Sequence, residues 1–144
     1  MELNSGEVVM SVKVEISLGE LIDKLVILEI KENRITDVDK LKNIKKELET
    51  LRSVWNSSEY IKSNIENEIS QLKMINEILW DIEDKIREKE ASKNFDEEFI
   101  HLARQVYLSN DKRSGIKKTI NEKLGSDLRE VKSYTDYENK PDRK

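Results

Sequence analysis

A chain of 144 residues with no Cys, one His and a net charge of −4 can bury one real core, and it has no material for disulfides, thiolate metal sites, cysteine nucleophiles or histidine-rich metal centres. Its 26 basic and 30 acidic residues are interspersed, so no global field attracts DNA or an anionic membrane, and generic nucleic-acid binding is not expected. No run approaches the ~20 apolar residues of a membrane span, and the acidic start lacks a signal-peptide pattern, so a cytoplasmic location is expected.

Residues 1–9 read as a loose extension. Across residues 8–16 the apolar side chains alternate (Val8, Met10, Val12, Val14, Ile16), which predicts a minor N-terminal β-strand with one buried face. Such a strand needs a neighbour, either residues 129–137 or the same strand in another subunit. Ser17-Leu-Gly-Glu20 is a capping box that starts a first helix. Its broad apolar set (Leu18, Leu21, Ile22, Leu25, Val26, Leu28) predicts cover on more than one side. Thr36-Asp-Val-Asp39 is a second box, so residues 34–37 should form a kink or short turn.

The second helix carries Leu41, Ile44, Leu48, Leu51 and Trp55, and the third carries Leu72, Ile75, Leu79, Ile82 and Ile86, each at the 3, 4, 3, 4 spacing of a heptad seam. Asn56-Ser57-Ser58 interrupts them. A third helix running from Ser58 to Glu90 would be roughly 50 Å long at ~1.5 Å per residue. The short interruption predicts that the second and third helices form an antiparallel hairpin, packed against the first and fourth. The fourth helix should start at Phe95 or Asp96 and stop at Leu124, with Gly125 as its left-handed terminator. Residues 133–137 are ambiguous between strand and loop, and residues 138–144 are expected to be a mobile tail.

The expected fold is therefore mainly α: one helical domain over residues 1–144, an antiparallel bundle or long helical hairpin of three to four helices with a minor N-terminal β-strand. A homodimer is expected, because the third helix offers more seam than one copy of the other helices can cover.

The fourth helix carries an anomaly. On a helical wheel Phe95, Phe99, Leu102, Ile120 and Leu124 all fall within about 40° of Val106, and so do Asn110, Arg113 and Lys117. Two positive charges thus sit on an apolar face, where an unpaired charge is costly. They must face a solvent-filled cleft, pair with carboxylates of another helix, or hold an anion. On the third helix Asn76, Trp80, Glu83 and Arg87 line up at helical spacing. Arg113, Lys117 and Arg87 could hold a phosphate or carboxylate while Trp80 stacks on a flat ring, with Lys132 joining them. Two structural readings compete: Ser114-Gly115 breaks the helix and leaves Asn110 as a cap, or Arg113 pairs with Glu83 to fix the helix register.

Other chemistry is less supported. Glu20-x-x-Asp23 and Glu29-x-x-Glu32 resemble carboxylate metal pairs, but both lie on one helix, and such spacings arise often by chance among so many acids. Glu98-x-x-His101 is half of a di-iron motif whose second half is missing, and His101 falls away from the seam, toward solvent. No phosphate loop, nucleophile elbow or catalytic triad is present.

The stretches EISLGELIDKLVILEIKENRI, LWDIEDKIREKE, FIHLARQVYLSNDKR and KSY together resemble an uncharacterised family of short helical proteins from bacteria and their phages. The resemblance spans roughly residues 14–134. It implies one domain and supplies no catalytic residues. MELNSGEVV lies outside it.

The expected function is a non-enzymatic binding protein that needs no cofactor or metal and holds a small anionic ligand, a nucleotide or sugar phosphate, in an interhelical cleft. Arg113 and Lys117 would neutralise it, Asn110 and Asn121 orient it, and Trp80, Glu83, Arg87 and Lys132 complete the site. The alternatives are a coiled-coil interaction module and an all-helical enzyme acting on an anionic metabolite by electrostatics.

Overall fold

The computed structural model describes residues 10–138. It contains four helices, α1 (Leu18–Arg34), α2 (Val38–Asn56), α3 (Glu66–Ala91) and α4 (Glu97–Leu124), with a 3-10 turn, Glu59–Lys62, between α2 and α3. Among the described residues no helix is long and apolar enough to cross a membrane. The loose extension, Val8 and the last six residues of the tail lie outside the described residues.

Local chemistry sets the helix ends. Ser17 Oγ accepts from the Glu20 N–H at 3.2 Å, which is half of the expected capping box; the Glu20 carboxylate bonds Lys117 instead of reaching back. The cap of α2 is Asp37, one residue later than the Thr36 box predicts, and its carboxylate accepts from the Lys40 N–H at 2.9 Å. Asp96 caps α4 by the same bond to Phe99, and Gly125 ends that helix at φ 66. Helix α4 runs unbroken through Ser114 and Gly115, so the reading that breaks it there falls.

Three expectations need correction. No strand forms among the described residues: residues 10–16 are not paired, and Met10, Val12 and Val14 are exposed. Residues 129–137 do not pair with them as a strand; that segment is tied to α4 through the side-chain bonds of Glu130 to Lys117 and Tyr137 to Asp111. Helix α3 starts at Glu66 rather than Ser58, because Ser58 Oγ donates to the Trp55 carbonyl at 2.7 Å and closes α2 instead of capping a new helix. The helix is consequently ~39 Å long, at ~1.5 Å per residue over its 26 residues.

The third correction concerns the hairpins. Helix α2 packs on α1, and α3 packs on α4. The extra turn between α2 and α3 carries the chain across to the other side of α1, whose buried Leu21, Ile22, Leu25, Val26, Leu28 and Ile30 are numerous enough to need cover on both sides. Bonds between helices give their directions. Asp23 to Asn76 and Arg34 to Asp81 run in the same order, so α1 and α3 are parallel. Gly19 to Asn121, Glu20 to Lys117 and Asp23 to Arg113 run in opposite order, so α1 and α4 are antiparallel.

One core joins all four helices, and it includes Leu48, Trp55, Ile65, Leu72 and Ile120. Leu72 and Ile120 are fully enclosed, and burial of each such side chain contributes ~1.5–3 kcal/mol. The α3 seam residues Leu72, Ile75, Leu79 and Ile82 are buried within one chain. The uncovered seam that suggested a second copy is thus covered by α1 and α4.

Candidate functional site

The polar stripe of α4 lies against α1. Asp23 is 0% exposed, and its carboxylate accepts from Arg113 Nε at 3.1 Å, from Arg113 Nη2, and from Asn76 Nδ2 on α3 at 2.9 Å. Lys117, 7% exposed, donates to Glu20 at 2.7 Å and to Glu130 at 3.0 Å, with Asp23 at 3.9 Å. The two cations on the apolar face are therefore matched by acids of α1 and of the segment after α4. This is the carboxylate-pairing option, with different partners from those expected: Glu83 does not pair with Arg113 but with Arg87, one turn along α3.

The close fit of α1 on α4 depends on Gly19. A Cβ there would lie 2.6 Å from the Lys117 carbonyl oxygen. With that space open, the Gly19 N–H donates to Asn121 Oδ1 at 2.7 Å, and the Leu18 N–H donates to Ser126 Oγ at 3.2 Å. Together with Ser17, these side chains satisfy three N–H groups that the start of a helix leaves open. Asn121 is thus committed to the α1 terminus, and its amide orients a helix.

Ionisation follows from the pairing. Burial works against the charge on Lys117, but hydrogen bonds to Glu20 and Glu130 outweigh it and hold its pKa above the ordinary lysine value. The hydrogen bond to Asp23 raises the Arg113 pKa further against its burial. The Lys117 ammonium lowers the Glu130 pKa below the usual carboxylate range.

Three clefts surround this network. The first, about 380 Å³ between α1, α3 and α4, is lined by Trp80, Glu83, Arg87, Asn110 and Arg113 together with Lys31. Its cations are largely committed: Arg87 bonds Glu83 and Arg113 bonds Asp23. The Trp80 ring carries the Arg34 guanidinium at 5.7 Å, so one face of the indole is occupied from α1. The second, about 660 Å³, lies between α4 and the segment beyond it and includes Tyr107, Asn110, Lys132, Tyr134 and Tyr137. The third, about 290 Å³, is lined by Lys117, Lys118, Asn121, Arg129, Glu130 and Lys132, among others.

Every expected site residue lines one of these clefts, but they do not form one cavity. Asn110 belongs to the first and second, and Lys132 to the second and third. Trp80 and Arg87 are separated from Lys117, Asn121 and Lys132, which line a different cleft. Sequence reasoning missed Glu20, Asp23 and Glu130 as site residues, and it aligned Asn76 with Trp80 on α3 without its role as a donor to Asp23. Glu20-x-x-Asp23 was visible as two acids one turn apart, but their use as counter-ions depends on a register that only packing supplies. Among the described residues no three acids or histidines come together as metal ligands, and His101 is exposed.

The fold and the site define an all-helical protein with a buried ionic network at the α1–α4 contact and joined clefts along α4. The chain belongs to the family of unknown function DUF6165, whose sequence model matches residues 12–143. The chain matches no curated protein and no solved structure.

Proposed function

We propose that this chain is a non-enzymatic binding protein for a small phosphorylated metabolite, a nucleotide or sugar phosphate, and that the phosphate sits in the cleft between α4 and the segment after it. The observation that carries this reading is the charge of that cleft: Lys118, Arg129 and Lys132 line it beside Lys117, whose own charge is already matched by Glu20 and Glu130. Glu130 is shared between Lys117 at 3.0 Å and Lys132 at 3.7 Å, and Lys118 reaches Glu122 only at 4.0 Å. Positive charge remains uncompensated there, in contrast to the α3–α4 cleft, where the guanidinium groups already have partners. The ionisation of the network argues against proton-transfer chemistry there. Lys117 is held charged and Glu130 is held deprotonated, so neither is poised to exchange a proton near neutral pH.

The test is calorimetric titration with AMP and ribose 5-phosphate at low and high salt. Lys118 and Lys132 are the residues to change, because Arg113 and Lys117 also hold the fold together. A charged hydrogen bond contributes about 1.5–3 kcal/mol, so Lys132→Ala should weaken binding by roughly tenfold or more. Absence of binding by both compounds at millimolar concentration overturns the reading.

A homodimer is also proposed, on a separate observation. The exposed, alternating residues 10–16 include Val12-Lys13-Val14-Glu15-Ile16; paired antiparallel about Val14, two copies set Lys13 opposite Glu15 in both directions. Sedimentation velocity should show a dimer that Val14→Asp dissociates, and a monomer at all concentrations rejects it.

A further inference from the structure

Three of the chain's four tyrosines, Tyr107, Tyr134 and Tyr137, line the 660 Å³ cleft, and each is substantially exposed. Large aromatic rings gathered around one concavity, without being packed into the core, mark a surface built for a ligand more than for stability. Tyr107 and Tyr137 meet edge to face at 5.2 Å, and the Tyr137 hydroxyl donates to Asp111, so this pair is held in place before any ligand arrives. Asn110 and Asp111 add a carboxamide and a carboxylate at the same wall, and Val106 adds an apolar floor. Lys132 is common to this cleft and to the cationic one beside it.

The two clefts therefore present, side by side and through a shared lysine, aromatic faces and then positive charge. A sugar phosphate uses the second half of that surface and has no planar aromatic ring for the first. We infer that the ligand is a nucleotide, its base lying among Tyr107, Tyr134 and Tyr137 and its phosphate reaching past Lys132 into the cationic cleft. This inference rests on the proposed phosphate site and narrows its ligand from phosphorylated metabolites in general to those with a planar base. Stacking is tolerant of base identity, while the Asn110 amide and the Asp111 carboxylate are placed to discriminate by hydrogen bonding.

The experiment compares AMP, ribose 5-phosphate and adenosine by calorimetry on the full chain, alongside Tyr134→Ala, Tyr134→Phe and Lys118→Ala. Tyr134 is 74% exposed, so neither change at that position should disturb folding. AMP should bind about tenfold more tightly than ribose 5-phosphate; Tyr134→Ala should remove that advantage without weakening ribose 5-phosphate, and Tyr134→Phe should keep it. Equal binding of AMP and ribose 5-phosphate, with Tyr134→Ala silent, overturns the nucleotide inference and leaves the phosphate site standing. Adenosine binding as tightly as AMP, with Lys118→Ala silent, overturns the phosphate site and the nucleotide assignment with it. If none of the three binds, both fall.

Discussion

Replacing Arg113 by Met keeps most of the side chain's volume and removes its charge, which leaves the Asp23 carboxylate at 0% exposure with the Asn76 amide at 2.9 Å and the Lys117 ammonium at 3.9 Å. Breaking a buried ion pair by removing one partner costs about 3–5 kcal/mol, because the other charge stays behind without its solvent or its counter-ion. The surviving partners put the cost near the low end, about 3 kcal/mol, or on the order of 10 °C in Tm for a chain of this length. Urea unfolding followed by far-ultraviolet circular dichroism measures it directly. Adding Asp23→Asn to Arg113→Met removes the stranded charge as well, and the double variant should recover much of the loss. The reasoning fails if Arg113→Met costs less than about 1 kcal/mol, the level of a solvent-screened surface pair, or if the double variant is no more stable than the single one.

Two glycines of the helices should respond in opposite ways to the same change. Gly19→Ala places a methyl group against the Lys117 backbone carbonyl, which cannot move without displacing α4, and should destabilise by about 1–3 kcal/mol in thermal unfolding. Gly115→Ala meets nothing within 4 Å and should stabilise by up to about 1 kcal/mol through helix propensity. Glu68 has its pKa lowered by the hydrogen bond from Lys123, so it contributes stability that is complete above its ordinary value of 4.5 and is lost as pH falls through the lower folded value. Unfolding free energy measured from pH 6 down to pH 3 should fall less steeply for Glu68→Gln than for the native chain; equal slopes would show that this pair has no part in acid unfolding.

The anomaly on α4 could be read from the chain alone because helical periodicity is local: Asn110, Arg113 and Lys117 recur at the spacing of Val106, Ile120 and Leu124, whatever they pack against. Their partners could not be read. With 30 acids in the chain, spacing cannot say which carboxylate will lie opposite Arg113, and Glu83 on α3 was as eligible as Asp23 on α1. The choice follows from the α1–α4 register, and that register follows from a close approach allowed by Gly19, a residue with no side chain to announce it. The cationic and tyrosine-lined clefts were hidden for a related reason. Half of each comes from residues 129–137, where the chain has no period to read, and they exist because Glu130 and Tyr137 bind that segment to α4.

By itself, then, the sequence determined the helices, most of their ends and the faces they bury. Those follow from i to i+3 and i to i+4 spacing and from caps that act within a turn. Only the tertiary structure decided which helices pair, where Asp23 finds its counter-ion, and which side of α4 faces an open cleft. Each of these depends on groups distant in the chain meeting across an interface, and on the desolvation that makes an unpaired charge at that interface too costly to leave.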